Sequence, residues 1–318
     1  MTEATATSSE PFPTTVAQVL DLRSVSPNAF VTAPTGAHDR RGLYGGQLAA
    51  QALQAAVNTV PPDRLVHSLH SYFLVPGDAT APVTLRVERD RDGRRYSTRR
   101  VVASQRDKTV LHLSASFQLP KDGPDYQAAV APEAEAPEQL PSFTLDKRML
   151  DVDARVPTDP EPWHRWPTRI WVRLREPLGD DPNSHACGLT FLSDMCTGLS
   201  KAPLVEYVGV LPSLDHSLWL HRPVRVDDWL LMDLRPESTS GGRGMYTGRV
   251  YDRYGTLVAS MAQESLFKIR PKSEHLPATP QAADSTPPAR PSRSHLAQRR
   301  LSTEAQPRRN IQPGQDGR

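Results

Sequence analysis

The chain has 318 residues, with 38 Lys and Arg against 36 Asp and Glu, so no charge field gathers nucleic acid over its whole surface. Its two cysteines, Cys187 and Cys196, fit neither a disulfide framework nor a zinc cluster, which suits a reducing compartment. No stretch reaches the ~18 consecutive apolar residues of a membrane-spanning helix, and "MTEATATSSEPFP" lacks the basic start and apolar run of a secretory signal. A soluble, cytoplasmic protein is expected, with no membrane span and no nucleic-acid partner.

In chain order, residues 1–14 are expected to be disordered. "GLYGGQLAAQALQAAVNTV" (42–60) is a helix of small residues, able to approach a sheet closely. "HSYFL" (70–74) follows as a strand. "VTLRVERDRDG" alternates Val83, Leu85 and Val87 with Thr84, Arg86 and Glu88, then turns at Asp92-Gly93. "STRRVVASQRDKTVLHLSASFQL" (97–119) is a hairpin turning at Arg106-Asp107-Lys108. Residues 119–167 are rich in Pro, Ala and acids and read as a linker, partly ordered at best.

The same order then recurs. "GLTFLSDMCTGLSKAPL" (188–204) is a second small-residue helix, with Asp194 in its middle. "HSLWL" (216–220) is a strand, and "MYTGRVYDRYGTLVASMAQESLFKI" (245–269) is a hairpin. His70 matches His216, Arg100-Val101 matches Arg249-Val250, and Ala115 matches Ala262. A spacing of about 147 residues is a duplicated domain and not a solenoid repeat. Residues 15–118 and 168–270 are therefore two units, each a helix followed by antiparallel strands, and the fold class is α+β. Residues 271–318 hold few large apolar groups and no Phe, Tyr or Trp, so a disordered Pro/Arg-rich tail is expected.

No G-x-S-x-G elbow, P-loop or dinucleotide motif is present. Asp215, His216 and Ser217 cannot form a relay, because adjacent strand residues point to opposite faces. The pairs His67/His70 and His216/His221 lack metal spacing. His70 and His216, recurring in both units, suggest a shared structural role. On the last strand Gln263 falls within an apolar face, where an amide needs partners. At the repeat spacing Asp194 falls on Gln47, Gln263 on Ser116, and Ser213 near His67. Polar groups thus recur at three places, but only the second unit has a carboxylate. Spacing leaves two readings of Asp194 open: a helix turn capped or solvated by the side chain, or one active site shared by two similar units.

"GGQLAAQAL" (45–53), "VHSLHSYFLVPGD" (66–78), "SLDHSLWLHRP" (213–223) and "LVASMAQES" (257–265) together resemble the acyl-CoA thioesterase II family, a bacterial group with peroxisomal relatives. The likeness spans roughly residues 15–270 and implies a double hotdog fold, two helix-wrapped antiparallel sheets in one chain. It implies hydrolysis of acyl-CoA, without a cofactor, in a homo-oligomer (dimer or tetramer). Carried over by motif, the catalytic residues are Asp194 of "FLSDM", Ser213 of "SLDHS" and Gln263 of "MAQES", acting on a water. Gly45 and Gly46 are candidates to polarise the thioester carbonyl, and Arg243 of "GGRG" is a candidate for a coenzyme A phosphate. The tail lies outside the family pattern, and "QDGR" is not the Ser-Lys-Leu peroxisomal address. Two alternatives remain: a hotdog enoyl-CoA hydratase, and a non-catalytic acyl-CoA-binding module.

Overall fold

The computed structural model describes residues 12–269 except 37–41, 160, 162, 164, 165, 203–207 and 211. The disorder expected of residues 1–14 and 271–318 thus falls almost wholly outside the described residues. The elements are α1 (Val16–Leu20), β1 (Arg23–Ser26), β2 (Ala29–Val31), α2 (Gly45–Val57), β3 (Leu65–Phe73), β4 (Thr84–Asp92), β5 (Tyr96–Gln105) and β6 (Lys108–Gln118). They continue with β7 (Val152–Arg155), β8 (Arg169–Leu174), α3 (Pro182–Ser193), β9 (Val208–Val210), β10 (Asp215–Leu220), β11 (Leu230–Ser240), β12 (Arg243–Asp252), β13 (Leu257–Leu266) and β14 (Lys268–Ile269).

Twelve strands form one antiparallel sheet in the order β1-β2-β4-β5-β6-β3-β10-β13-β12-β11-β8-β7, and β9 pairs with β14 separately. Alternation makes the strands one-sided: Val101 and Ala103 of β5 and Leu111, Leu113 and Phe117 of β6 are buried. They face α2, whose Ala and Leu side chains are almost wholly removed from water. α2 packs on α3, and the two helices lie against the sheet. The turn between β5 and β6 is made by Arg106 and Asp107, both at positive φ (47° and 65°), the backbone of a tight two-residue hairpin. The sheet is continuous because β3 meets β10 at its centre, with His216 opposite Ser71, Ser217 opposite His70 and Leu218 opposite Leu69. Among the described residues no helix is long and apolar enough to cross a membrane.

Three expectations are corrected. The second helix does not run over 188–204: α3 starts at Pro182 and ends at Ser193. The Asp181 carboxylate accepts from the Asn183 and Ser184 N–H groups, and Pro182 takes the first helical position, where its fixed φ suits a helix start. Asp194 is the C-cap, and a short 3-10 turn follows at Gly198–Lys201. The match of His70 with His216 also fails, since His70 is exposed on the outer face whereas His216 is fully buried. A spacing wrong by one residue turns a strand's side chains to the other face. By the same rule Ser116 and His67 hydrogen-bond to each other at 2.8 Å on the outer side, away from the helix that carries Gln47. The three polar positions therefore do not recur as a set. The connection 119–167, lastly, is ordered in much of its length. β7 pairs with β8, Gln127 bonds the Gly255 carbonyl and the Leu257 N–H, and the Trp171 indole donates to the Glu135 carbonyl at 3.0 Å.

Candidate active site

The end of α3, the start of α2, Ser213 and β13 converge on one carboxylate. Gln263 Nε2 donates to Asp194 Oδ1 at 2.8 Å and to Ser213 Oγ at 2.6 Å. Ser213 Oγ donates to the same Oδ1 at 3.3 Å. Ser213 bridges Ser265 just before β10 begins, and β13 turns Met261, Gln263 and Ser265 toward the core. Asp194, Ser213 and Gln263, far apart in the chain, thus form a closed triangle.

The other side of the carboxylate belongs to α2. The Gly46 N–H donates to Asp194, and a Cβ on Gly45 would sit 2.6 Å from Asp194 Oδ2. Gly46 lies so close to α3 that its Cβ would come within 2.6 Å of the Phe191 carbonyl oxygen. Glycine is required at both positions by close approach. The N–H groups of a helix's first turn have no acceptor within the helix and carry its positive pole. Arg243 is not brought to this cluster: it stands on the outer face of β12, where its Nε donates to Glu264 Oε1 at 2.8 Å.

Asp194 keeps part of its surface accessible, yet the atoms packed around its carboxylate exclude enough water to raise its pKa above the usual carboxylate value. The neighbouring His216 imidazole, the Gln263 and Ser213 hydrogen bonds and the Gly46 N–H oppose the shift without cancelling it. The carboxylate is held ionisable but more basic than a solvated one, a combination suited to taking a proton.

Sequence reasoning missed several residues around this point. Tyr44 OH donates to the Phe191 carbonyl at 2.8 Å, and Tyr246 OH donates to the Cys196 carbonyl at 3.2 Å, bracketing Asp194 on both sides. Burial, reinforced by the Asp194 charge, pushes both phenols well above their ordinary pKa, so they stay protonated donors. Burial pushes the Cys196 thiol up to about 12, which removes it as a nucleophile. His216 is the inward residue of "DHS": its Nδ1 lies 2.5 Å from Gln263 Oε1 and its Nε2 lies 2.8 Å from Ser193 Oγ. Strand alternation rules out a relay of Asp215, His216 and Ser217, and it also marks His216 alone of the three as inward. Among the described residues no group of three or more His, Cys, Asp or Glu side chains is placed to hold a metal ion.

Residues 34–118 match the model of an acyl-CoA thioesterase N-terminal domain and residues 122–267 that of an acyl-CoA thioesterase C-terminal domain. Acyl-CoA thioesterase 2 of Haemophilus influenzae is 31% identical, over 72% of this chain and 88% of that protein. The crystal structure of an acyl-CoA thioesterase II from Mycobacterium marinum is 35% identical with a TM-score of 0.70, covering 81% of this chain and 100% of that one. A hot dog fold protein from Alicyclobacillus acidocaldarius, 20% identical, has a TM-score of 0.69 over 80% of this chain and 98% of that one, a likeness of fold alone. The α+β architecture is thus a hotdog fold, and the chain belongs to the acyl-CoA thioesterase II family.

Proposed function

We propose that this chain hydrolyses medium- to long-chain fatty acyl-CoA to the free fatty acid and coenzyme A, with water activated at Asp194. The observation that carries the site is the convergence of Gln263 Nε2 and Ser213 Oγ on one oxygen of Asp194, at 2.8 and 3.3 Å. A water bound at this triangle attacks the thioester carbonyl carbon while Asp194 accepts its proton. The tetrahedral intermediate then collapses with departure of the coenzyme A thiolate, which takes up a proton. The N-terminal pole of α2, whose Gly46 N–H already reaches Asp194, is suited to the developing oxyanion. No covalent acyl-enzyme is needed.

The hydratase alternative loses ground on one observation: both nitrogens of His216 are engaged, by Gln263 and Ser193, so the nearest imidazole is not free to act on substrate. The test is thiol release from palmitoyl-CoA, read with a thiol reagent. Asp194→Asn is expected to lower kcat at least ~100-fold, the scale of a lost general base. Turnover near that of the natural chain would reject Asp194 as the base, and absence of thiol release from any acyl chain length would favour the binding module.

We also read residues 15–118 and 168–270 as the two units of a double hotdog, joined by 119–167. The support is the repeated order of one helix and four strands of the large sheet, α2-β3-β4-β5-β6 and α3-β10-β11-β12-β13, with β9 of the small sheet intervening after α3. An experimental structure in which these segments fail to superpose would dismiss that reading. A homo-oligomer in the cytoplasm completes the proposal; sedimentation as a monomer, or fractionation to another compartment, would count against it.

A further inference from the structure

We infer that His216 is a positioning residue for Gln263, holding the amide so that its nitrogen and not its oxygen faces Asp194. The inference rests on the proposed Asp194 site. A side-chain amide has a donor end and an acceptor end of nearly equal size. An ionised carboxylate only accepts, so Nε2 must be the atom 2.8 Å from Asp194 Oδ1. Were the amide turned over, its oxygen would face that carboxylate. The bond to Asp194 would then be lost, and only the Ser213 hydroxyl could donate to the amide.

The choice is fixed from the far end. Gln263 Oε1 lies 2.5 Å from His216 Nδ1, so Nδ1 carries the proton and donates. The imidazole is held in turn by Ser193 Oγ, 2.8 Å from Nε2. That hydroxyl has a single proton, which goes to Nε2 when Nδ1 carries the ring proton; the Thr190 carbonyl, 3.1 Å away, is the competing acceptor. Ser193, His216, Gln263 and Asp194 are thus linked end to end, and every one of the first three is buried. No solvent is at hand to replace a missing partner. His216 is further pinned through its backbone, whose carbonyl accepts from Ser71 Oγ of β3 at 3.0 Å. On β3 the inward positions facing the seam are Leu69 and Ser71, so this imidazole, like the carboxylate, occurs in the second half only.

The test is a double-mutant cycle with palmitoyl-CoA, joined to a conservative rescue. His216→Leu is expected to lower kcat about 100-fold, as misplacement near the reacting atoms does, with little change in KM. His216→Asn, whose amide keeps a donor near the Nδ1 position, is expected within about fivefold of the natural chain, the worth of about one neutral hydrogen bond. In a Gln263→Ala background, His216→Leu should cost less than about threefold, because the residue it positions is gone. Should His216→Leu fail to fold, Ser193→Ala tests the same chain by freeing the imidazole tautomer, and kcat should fall while KM holds. With Asp194→Asn inactive, additive effects of His216→Leu and Gln263→Ala, or no rescue by Asn, overturn the inference. An active Asp194→Asn overturns it together with the site on which it rests.

Discussion

At the scale of the residue, Asp194 ends a helix at the pole where negative charge is least favourable, so capping α3 does not account for it. What holds the charge is the opposite pole of α2, through the Gly46 N–H, with Gln263 and Ser213. Burial still raises the Asp194 pKa, and two consequences follow. The general base proposed at Asp194 works only when ionised, so kcat/KM is expected to fall on the acid side with an apparent pKa above the ordinary carboxylate range, read from a pH–rate profile. The stability consequence has the reverse slope. The unfolded chain gives up this proton at lower pH than the folded one, so the folded state loses stability as pH rises through that window. Asp194→Asn does not titrate, and its Tm relative to the natural chain should rise from pH 4 to pH 8; a constant difference would show that Asp194 is not shifted. Gly45 and Gly46 divide differently. Gly45→Ala places a methyl 2.6 Å from Asp194 Oδ2 and 3.1 Å from a Phe73 ring atom, and kcat should fall on the order of 100-fold with Tm little changed. Gly46→Ala meets the Phe191 carbonyl and should chiefly lower Tm, by parting α2 from α3.

At the scale of the element, α3 shows what one cap decides. The Asp181-Pro182 start sets the frame in which Ser193 is the last helical residue and Asp194 the first beyond it. Asp181→Ala removes an acceptor for two N–H groups and should cost ~1 kcal/mol, or ~2–4 °C in Tm for a chain of this size, measured by calorimetry. The strands are legible in the sequence because alternation and hairpin turns are local. Val83, Leu85 and Val87 alternate along the chain and are buried, and Asp92-Gly93 and Arg106-Asp107 mark chain reversals that the structure contains. Periodicity misplaces the second helix because its apolar spacing runs on past Ser193 into Met195 and Leu199, while the Asp181-Pro182 signal upstream fixes the true start. Matching the units by equal spacing fails for a similar reason. Loops of unequal length shift the count by one, and one residue in a strand exchanges inside for outside, which sets buried His216 beside exposed His70. The polar triangle is reached through its sequence motifs, whereas His216, Tyr44 and Tyr246 act through contacts between distant segments that no local pattern announces.

At the scale of the whole molecule, the site draws on both sides of the sheet's central seam, since α2 precedes β3 whereas Asp194, Ser213 and Gln263 follow it. The alignment of the two parts therefore bears on chemistry as well as stability. Besides the pairing of β3 with β10 and the packing of α2 on α3, the Asn183 side chain ties them together at the start of α3. Asn183 Oδ1 accepts from the Val66 N–H at 3.0 Å, and its Nδ2 donates to the Arg64 carbonyl at 2.9 Å. These are backbone groups where β3 begins, and Asn183 itself is buried, so water does not readily replace it. Asn183→Leu leaves a buried donor and acceptor unpaired, each costing ~1–3 kcal/mol. The expected loss of Tm is larger than for Asp181→Ala, which exposes its orphaned groups to solvent. Because α3 ends in Ser193 and Asp194, slack at its start should also reach the triangle, giving a modest fall in kcat with KM preserved. A Tm equal to that of the natural chain would mean that Asn183 does not help to hold the seam, which the β3–β10 pairing and the α2–α3 packing would then maintain without it.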